Sequence, residues 1–213
     1  SSNTTGTYNT AVGRKALEDS TTSDNNTACG AFALRDNTTG TRNTGLGAAA
    51  MDANTTGDDN TAVGASALLS NTTGTQNTAV GAYALDANTT ASYNTAFGYE
   101  SLTANTGGIY NVGCGRYSLR ANTGGDSNSA FGQGALSANT TGDYNTAVGF
   151  EAAHDSTDRN QITAVGYKAL HVATGHANTA VGFEAMGTGS ASSGYNTAVG
   201  RDCLHGLTTG GEN

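Results

Sequence analysis

Proline is absent from the 213 residues. Proline cannot donate to a sheet ladder, so a chain without it is free to be ladder almost throughout. Basic residues are scarce: 9 Lys and Arg stand against 17 Asp and Glu, for a net charge of −8. That balance argues against nucleic acid and anionic membranes as partners. No apolar run approaches the roughly 18 residues that a membrane-spanning helix needs, so no membrane insertion is expected. Cysteine is rare too. Cys29 and Cys114 each stand one residue before a recurring glycine, and Cys203 stands three residues after one.

What the chain has is a period. A glycine returns every 17 residues, from Gly13, Gly30 and Gly47 through Gly149 and Gly166, and then at Gly182 and Gly200. Around it runs Asn-Thr-Ala-Val-Gly-x-x-Ala-Leu-x-x-Asn-Thr-Thr-Gly-x-x. A fixed period of this kind means stacked structural units, each resting mainly on its neighbours. The 31 glycines would otherwise suggest disorder, but a disordered tract has no reason to keep its apolar residues in register. The expected fold is all-β: a parallel β-solenoid of about twelve 17-residue coils, roughly 58 Å long at about 4.8 Å per coil. It forms a single elongated domain over 1–213, regular through about 166, with an irregular loop near 187–194. The chain begins and ends inside the repeat, which suggests an ordered segment of something longer.

Within one unit, Asn60-Thr61-Ala62-Val63-Gly64 reads as an extended segment with Thr and Val on one face and Asn and Ala on the other. The Val column is apolar in every unit (Val12, Cys29, Leu46, Val63, Val80, Phe97 and onward), so it is expected to point into a core, with Thr beside it. On that reading Val80→Asp buries an unpaired charge, whereas Gln76→Asp in a turn does little. The segment carrying Ala67-Leu68 is expected to form a second short strand. The residue before Val is always Ala or Gly, which calls for close approach of another backbone layer. Either a very flat coil or a partner chain packed on that face supplies it, and the partner chain is preferred. The cysteines read as buried free thiols: Cys29 and Cys114 lie five coils apart, about 24 Å, beyond the roughly 7 Å that a disulfide tolerates. The Asn column (Asn9, Asn26, Asn43, Asn60 and onward, broken at Ile162) can add a ladder of side-chain amides.

This unit resembles repeats of bacteriophage tail-fibre and bacterial surface-fibre proteins. It is also similar to the shorter Ser-Val-Ala-Ile-Gly repeats in head domains of trimeric autotransporter adhesins, with Thr10-Ala11-Val12-Gly13 matching Val-Ala-Ile-Gly. The resemblance implies a left-handed β-roll, assembled as an extracellular homotrimer along the shaft or at the end of a fibre. The longer period and the Thr at the second position depart from the adhesin pattern. Handedness and trimer geometry therefore come from the resemblance alone.

Candidate sites are few. Phe150, Tyr167 and Phe183 occupy one column in consecutive coils, where stacked rings can offer a platform for sugar faces or pack between chains. His154 and His171 share another column in adjacent coils, with His205 in the same column further on. Two imidazoles at that spacing can share a metal, but no carboxylate or cysteine visibly completes a site, and solvated histidines are the preferred reading. The turn acids Asp24, Asp58, Asp59, Asp126 and Asp143 lack the pattern of calcium-binding rolls. Sequons at Asn37, Asn54, Asn71, Asn88 and Asn139 are explained by turn chemistry. A Thr column (Thr10, Thr27, Thr44, Thr61, Thr78, Thr95) invites an ice-binding reading, which an inward-facing Thr would defeat. No catalytic constellation or cofactor site is found. The expected function is a structural and adhesive fibre segment whose partners are further copies of itself and surface glycans. A self-assembling extracellular filament is the alternative, and ice binding ranks third.

Overall fold

The computed structural model describes residues 2–172, 175–188 and 194–206. Each coil contributes one three-residue strand, from β1 (Thr10–Val12) through β4 (Thr61–Val63), β5 (Thr78–Val80) and β7 (Val112–Cys114) to β12 (Thr197–Val199). The twelve strands form one parallel sheet in chain order, with about eleven turns of chain winding between them. Thr61 pairs with Thr78, Ala62 with Ala79 and Val63 with Val80. Where the spacing shortens to 16, Thr163 still pairs with Thr179. Among the described residues there is no helix. Part of the expected irregular loop, 189–193, lies outside the described residues.

The facing of the strand is the reverse of the one expected from its hydrophobicity. Ala28, Ala62, Ala79, Ala96 and Ala147 are fully buried. The Val column points out: Val12 is 58% exposed, Phe97 55% and Val199 68%. The reason is thickness. Leu34, Met51, Leu68, Leu85 and their equivalents enter the coil from the opposite wall and are fully buried. They leave no room for a second large side chain from the strand. At Gly45, which replaces the usual Ala, a methyl group would already stand 3.3 Å from the Leu34 side chain and from the Ala50 carbonyl. The small-residue column therefore marks a flat coil's own interior, and the partner chain expected on that face is not needed to explain it. The cysteines follow the same correction: Cys29 is exposed and Cys114 half-buried on the outer face, while Cys203 is partly buried against the core.

The opposite wall is not the second strand expected from Ala67-Leu68. It is a run of tight turns in which alternate residues adopt left-handed geometry, as at Ser66 (φ 55°) and Leu68 (φ 50°). This geometry turns successive amides in opposite directions along the stack. The Ser66 N–H donates back to Ala48 at 2.9 Å, and the Leu68 N–H donates forward to Ala84 at 3.0 Å. A left-handed non-glycine residue costs about 1–2 kcal/mol. The ladder bond, at about 1 kcal/mol, and the burial of the leucine, at about 2 kcal/mol, offset that cost only when coils are stacked. The repeat glycine has a harder requirement: Gly64 has φ +137°, and a methyl there would lie 2.7 Å from the backbone of Gly81 in the next coil.

Two asparagine ladders tie the coils together. In the first, the Asn43 side-chain oxygen accepts the Asn60 N–H at 2.9 Å, while Asn60 Nδ2 donates to the Gly74 carbonyl at 2.8 Å. In the second, built from the Asn-Thr-Thr-Gly turns, Asn71 Nδ2 donates to Asn54 Oδ1 at 2.8 Å and to the Gly74 carbonyl at 3.0 Å. These asparagines are fully buried, so the polar atoms are satisfied inside the stack rather than by water.

Candidate functional surfaces

With Ala turned inward, the outer face of the sheet displays Thr and Val side by side. The Thr column is partly to fully exposed from Thr10 to Thr197, and the Val column likewise. Neither column holds a charged residue at any coil. Tyr8, Tyr93, Tyr110, Tyr144 and Tyr195 flank this face, 46–86% exposed. The strip is about 58 Å long and roughly 10–15 Å wide, an area on the order of 600–900 Å². The apolar Val column is about half of it, on the order of 300–450 Å², which falls within the roughly 300–600 Å² that the largest apolar patch of a monomer usually covers. The inward Thr that counted against ice binding is thus corrected, since the hydroxyl column faces out.

Phe150, Tyr167 and Phe183 form one continuous stack, with ring centroids 5.4 and 5.0 Å apart and planes within 11° of parallel. Arg201 lies 5.2 Å from the Phe183 centroid and closes one end. The ring faces are therefore turned mainly to each other, and the stack offers solvent a stripe of ring edges. Other aromatics that the sequence reading passed over are also brought together. Tyr93 stacks on Tyr110 at 4.9 Å, and Tyr99 lies edge-on between Tyr83 and Tyr117. Tyr93 and Tyr110 share a column at 17 residues, whereas Tyr99 lies 16 residues after Tyr83 and 18 before Tyr117, so that cluster joins neighbouring columns.

The histidine edge is less bare than it reads in one dimension. His154 and His171 stack at 5.3 Å. Asp155 bonds His154 Nδ1 at 2.6 Å, and Glu151 of the preceding coil meets His171 Nε2 at 3.2 Å. Carboxylates do stand at these imidazoles. The one from Glu151 was hidden because it comes from another coil.

The turn acids spend their oxygens on the stack. Asp24 Oδ1 accepts the Thr7 N–H at 2.6 Å and its hydroxyl at 2.9 Å, and the backbone bond holds the Asp24 carboxyl below its ordinary value. Asp58 does the same for Thr41. Asp126 accepts from Ile109 and Asp143 from Asp126. Asp59 pairs with Arg42 at 2.6 Å, which lowers its pKa. The sequon asparagines Asn37, Asn54, Asn71, Asn88 and Asn139 are fully buried. Their amide nitrogens are committed to the ladder, closed to a glycosylating enzyme in the folded chain.

Comparison with protein-family models, with curated proteins and with solved structures finds no match for the chain.

Proposed function

We propose that the chain is a structural and adhesive fibre segment, a rigid rod that assembles as a homotrimer through the outer Thr/Val face of its sheet. The observation that carries this reading is an uncharged, largely exposed strip running the whole length of the stack. The occupant that fits best is another copy. A partner built on the same repeat has the same coil spacing, about 4.8 Å, so side chains meet in the same way at every step. Three copies turning this face to a common axis would bury it and leave the charged turns in water. The extracellular fibre role follows from the repeat's resemblance to tail-fibre and adhesin repeats. Glycan contact at the Phe150, Tyr167 and Phe183 edge belongs to the same reading, multiplied by coils and chains into avidity.

Ice binding gains support from the outward Thr column. The companion column argues the other way. Phe97 and Phe131 interrupt the valines and roughen a face that would have to be flat for ice, whereas a partner chain can interdigitate with unequal side chains. The test is native mass by light scattering, with Val63→Lys and Val148→Lys together as the variant. A trimer of 21.2 kDa chains that falls to a folded monomer in the variant supports the reading. A wild-type monomer with thermal hysteresis overturns it in favour of ice. A growing, polydisperse mass overturns it in favour of the filament.

A further inference from the structure

Outside the outer face, the densest chemistry lies on one turn edge, where His154, Asp155 and His171 place their ligand atoms within 4.8 Å of one another. We infer that these three side chains form a binding site for a divalent transition metal ion such as Zn²⁺, with two imidazoles and one carboxylate as ligands and water completing the shell.

The orientation of the rings supports this. Glu151 Oε2 stands 3.2 Å from His171 Nε2. A carboxylate there accepts the Nε2–H and leaves the lone pair on Nδ1, as the carboxylate partners of metal-bound histidines do. That Nδ1 faces Asp155 Oδ2 at 3.9 Å. A lone pair opposite a carboxylate is a repulsive contact that a cation between them converts into two bonds. His154 Nδ1 meets the other oxygen of the same carboxylate at 2.6 Å, so both rings converge on Asp155. The stack holds the imidazoles parallel within 6° and 5.3 Å apart, so the rings must tilt out of the stack to bring both in-plane lone pairs onto one ion. Metal–ligand bonds of about 2.0–2.2 Å hold tetrahedral donors roughly 3.3 Å apart, a distance reached by rotation of both rings and of the Asp155 carboxylate on this exposed edge. Lys168 lies 3.3 Å from Glu151 and neutralises that supporting carboxylate without touching Asp155. A cavity of about 220 Å³ beside His171, lined also by Lys168, Glu184, Gly187 and Thr188, gives water and ions a way in. It exists because Gly187 stands in the histidine column between His171 and His205. Imidazole and carboxylate together suit Zn²⁺, Ni²⁺ or Cu²⁺ better than Ca²⁺, which takes oxygen ligands.

The experiment is titration of the full chain with ZnCl₂ by calorimetry, with circular dichroism to confirm that each variant remains folded. His171→Asn and Asp155→Asn are each expected to weaken binding at least tenfold. Glu151→Gln should weaken it several-fold, because it removes the charge that orients His171 and not a ligand. His205→Asn serves as the control, since that residue belongs to the separate group of Glu184, Asp202 and His205, and it should leave the tight phase unchanged. Absence of zinc binding by the wild-type chain overturns the assignment. So does binding that survives His171→Asn and Asp155→Asn but is lost in His205→Asn.

Discussion

At the residue scale, the interior is governed by volumes that compensate across the coil. β7 has Gly113 where most strands have Ala, and the facing residues Ser101 and Ser118 stand where most coils have Ala. The Ser101 hydroxyl donates to the Gly113 carbonyl at 3.0 Å and meets the Ser118 hydroxyl at 2.8 Å. A methyl added at Gly113 would lie 2.5 Å from Ser101 Oγ and 3.0 Å from Ser118 Oγ. Gly113→Ala is therefore expected to destabilise by about 1–3 kcal/mol through overpacking. Combined with Ser101→Ala and Ser118→Ala, it restores the Ala-on-Ala packing of the other coils. The combination should recover stability, with a coupling of about 0.5–3 kcal/mol. Denaturant unfolding of the singles and the triple measures it, and simple additivity would show that the two sides of the coil do not sense each other.

At the element scale, the unit of cohesion is the ladder, and its defects are where stability can be gained. The second asparagine column is interrupted at Ser156, which follows Asn139. Both Asn139 Oδ1 and Ser156 Oγ are buried without a hydrogen-bond partner among the described residues. Ser156→Asn places an amide where Asn71 and Asn122 already donate to the coil before them. It is expected to add about 1 kcal/mol, read as a higher midpoint in urea. Asn60→Ala is the converse. It strips the acceptor from the Asn77 N–H (2.9 Å) and one of two donors from the Gly74 carbonyl, which keeps its bond from Asn71 Nδ2, and should cost about 1–3 kcal/mol with one buried group orphaned. The ladder was legible in the sequence because Asn recurs in phase with the glycine. The facing of the strand was not. Alternation along Thr61-Ala62-Val63 gives two faces without saying which is inside, and the choice of Val for the interior ignored that Leu68 had already filled it. The left-handed wall was invisible for another reason: Leu68, Glu100 and Tyr117 have no preference for positive φ, and only the ladder bonds of a finished stack hold them there. The Glu151 carboxylate at His171 was missed because that contact spans 20 residues and appears only once the coil is closed.

At the scale of the whole molecule, two properties separate: what folds the rod and what, on the proposed reading, assembles it. Val80 lies on the outer face and Ala79 in the interior. The expectation that Val80→Asp buries a charge is accordingly reversed for a single chain. Val80→Asp should leave the circular dichroism spectrum intact and weaken only association, while Ala79→Asp should abolish folding by burying an unpaired carboxylate. Chain length supplies a sharper test, because a stack whose coils touch only their neighbours has no long-range contact to lose. Excision of residues 65–81 removes one full period and joins Gly64 to Ala82, which takes the place of Ala65 at the same step of the repeat. The shortened chain should fold, with a rod about 4.8 Å shorter and a melting temperature lowered by only a few degrees. Excision of 65–72 removes eight residues instead and sets Thr73 after the repeat glycine. Every later Leu and Asn is then out of phase with the coils before it, so the stack is split and the broad, low-temperature melting of two shorter fragments is expected. Equal damage from the two deletions would mean that the rod is held by contacts between distant coils, which the neighbour-only ladder does not contain.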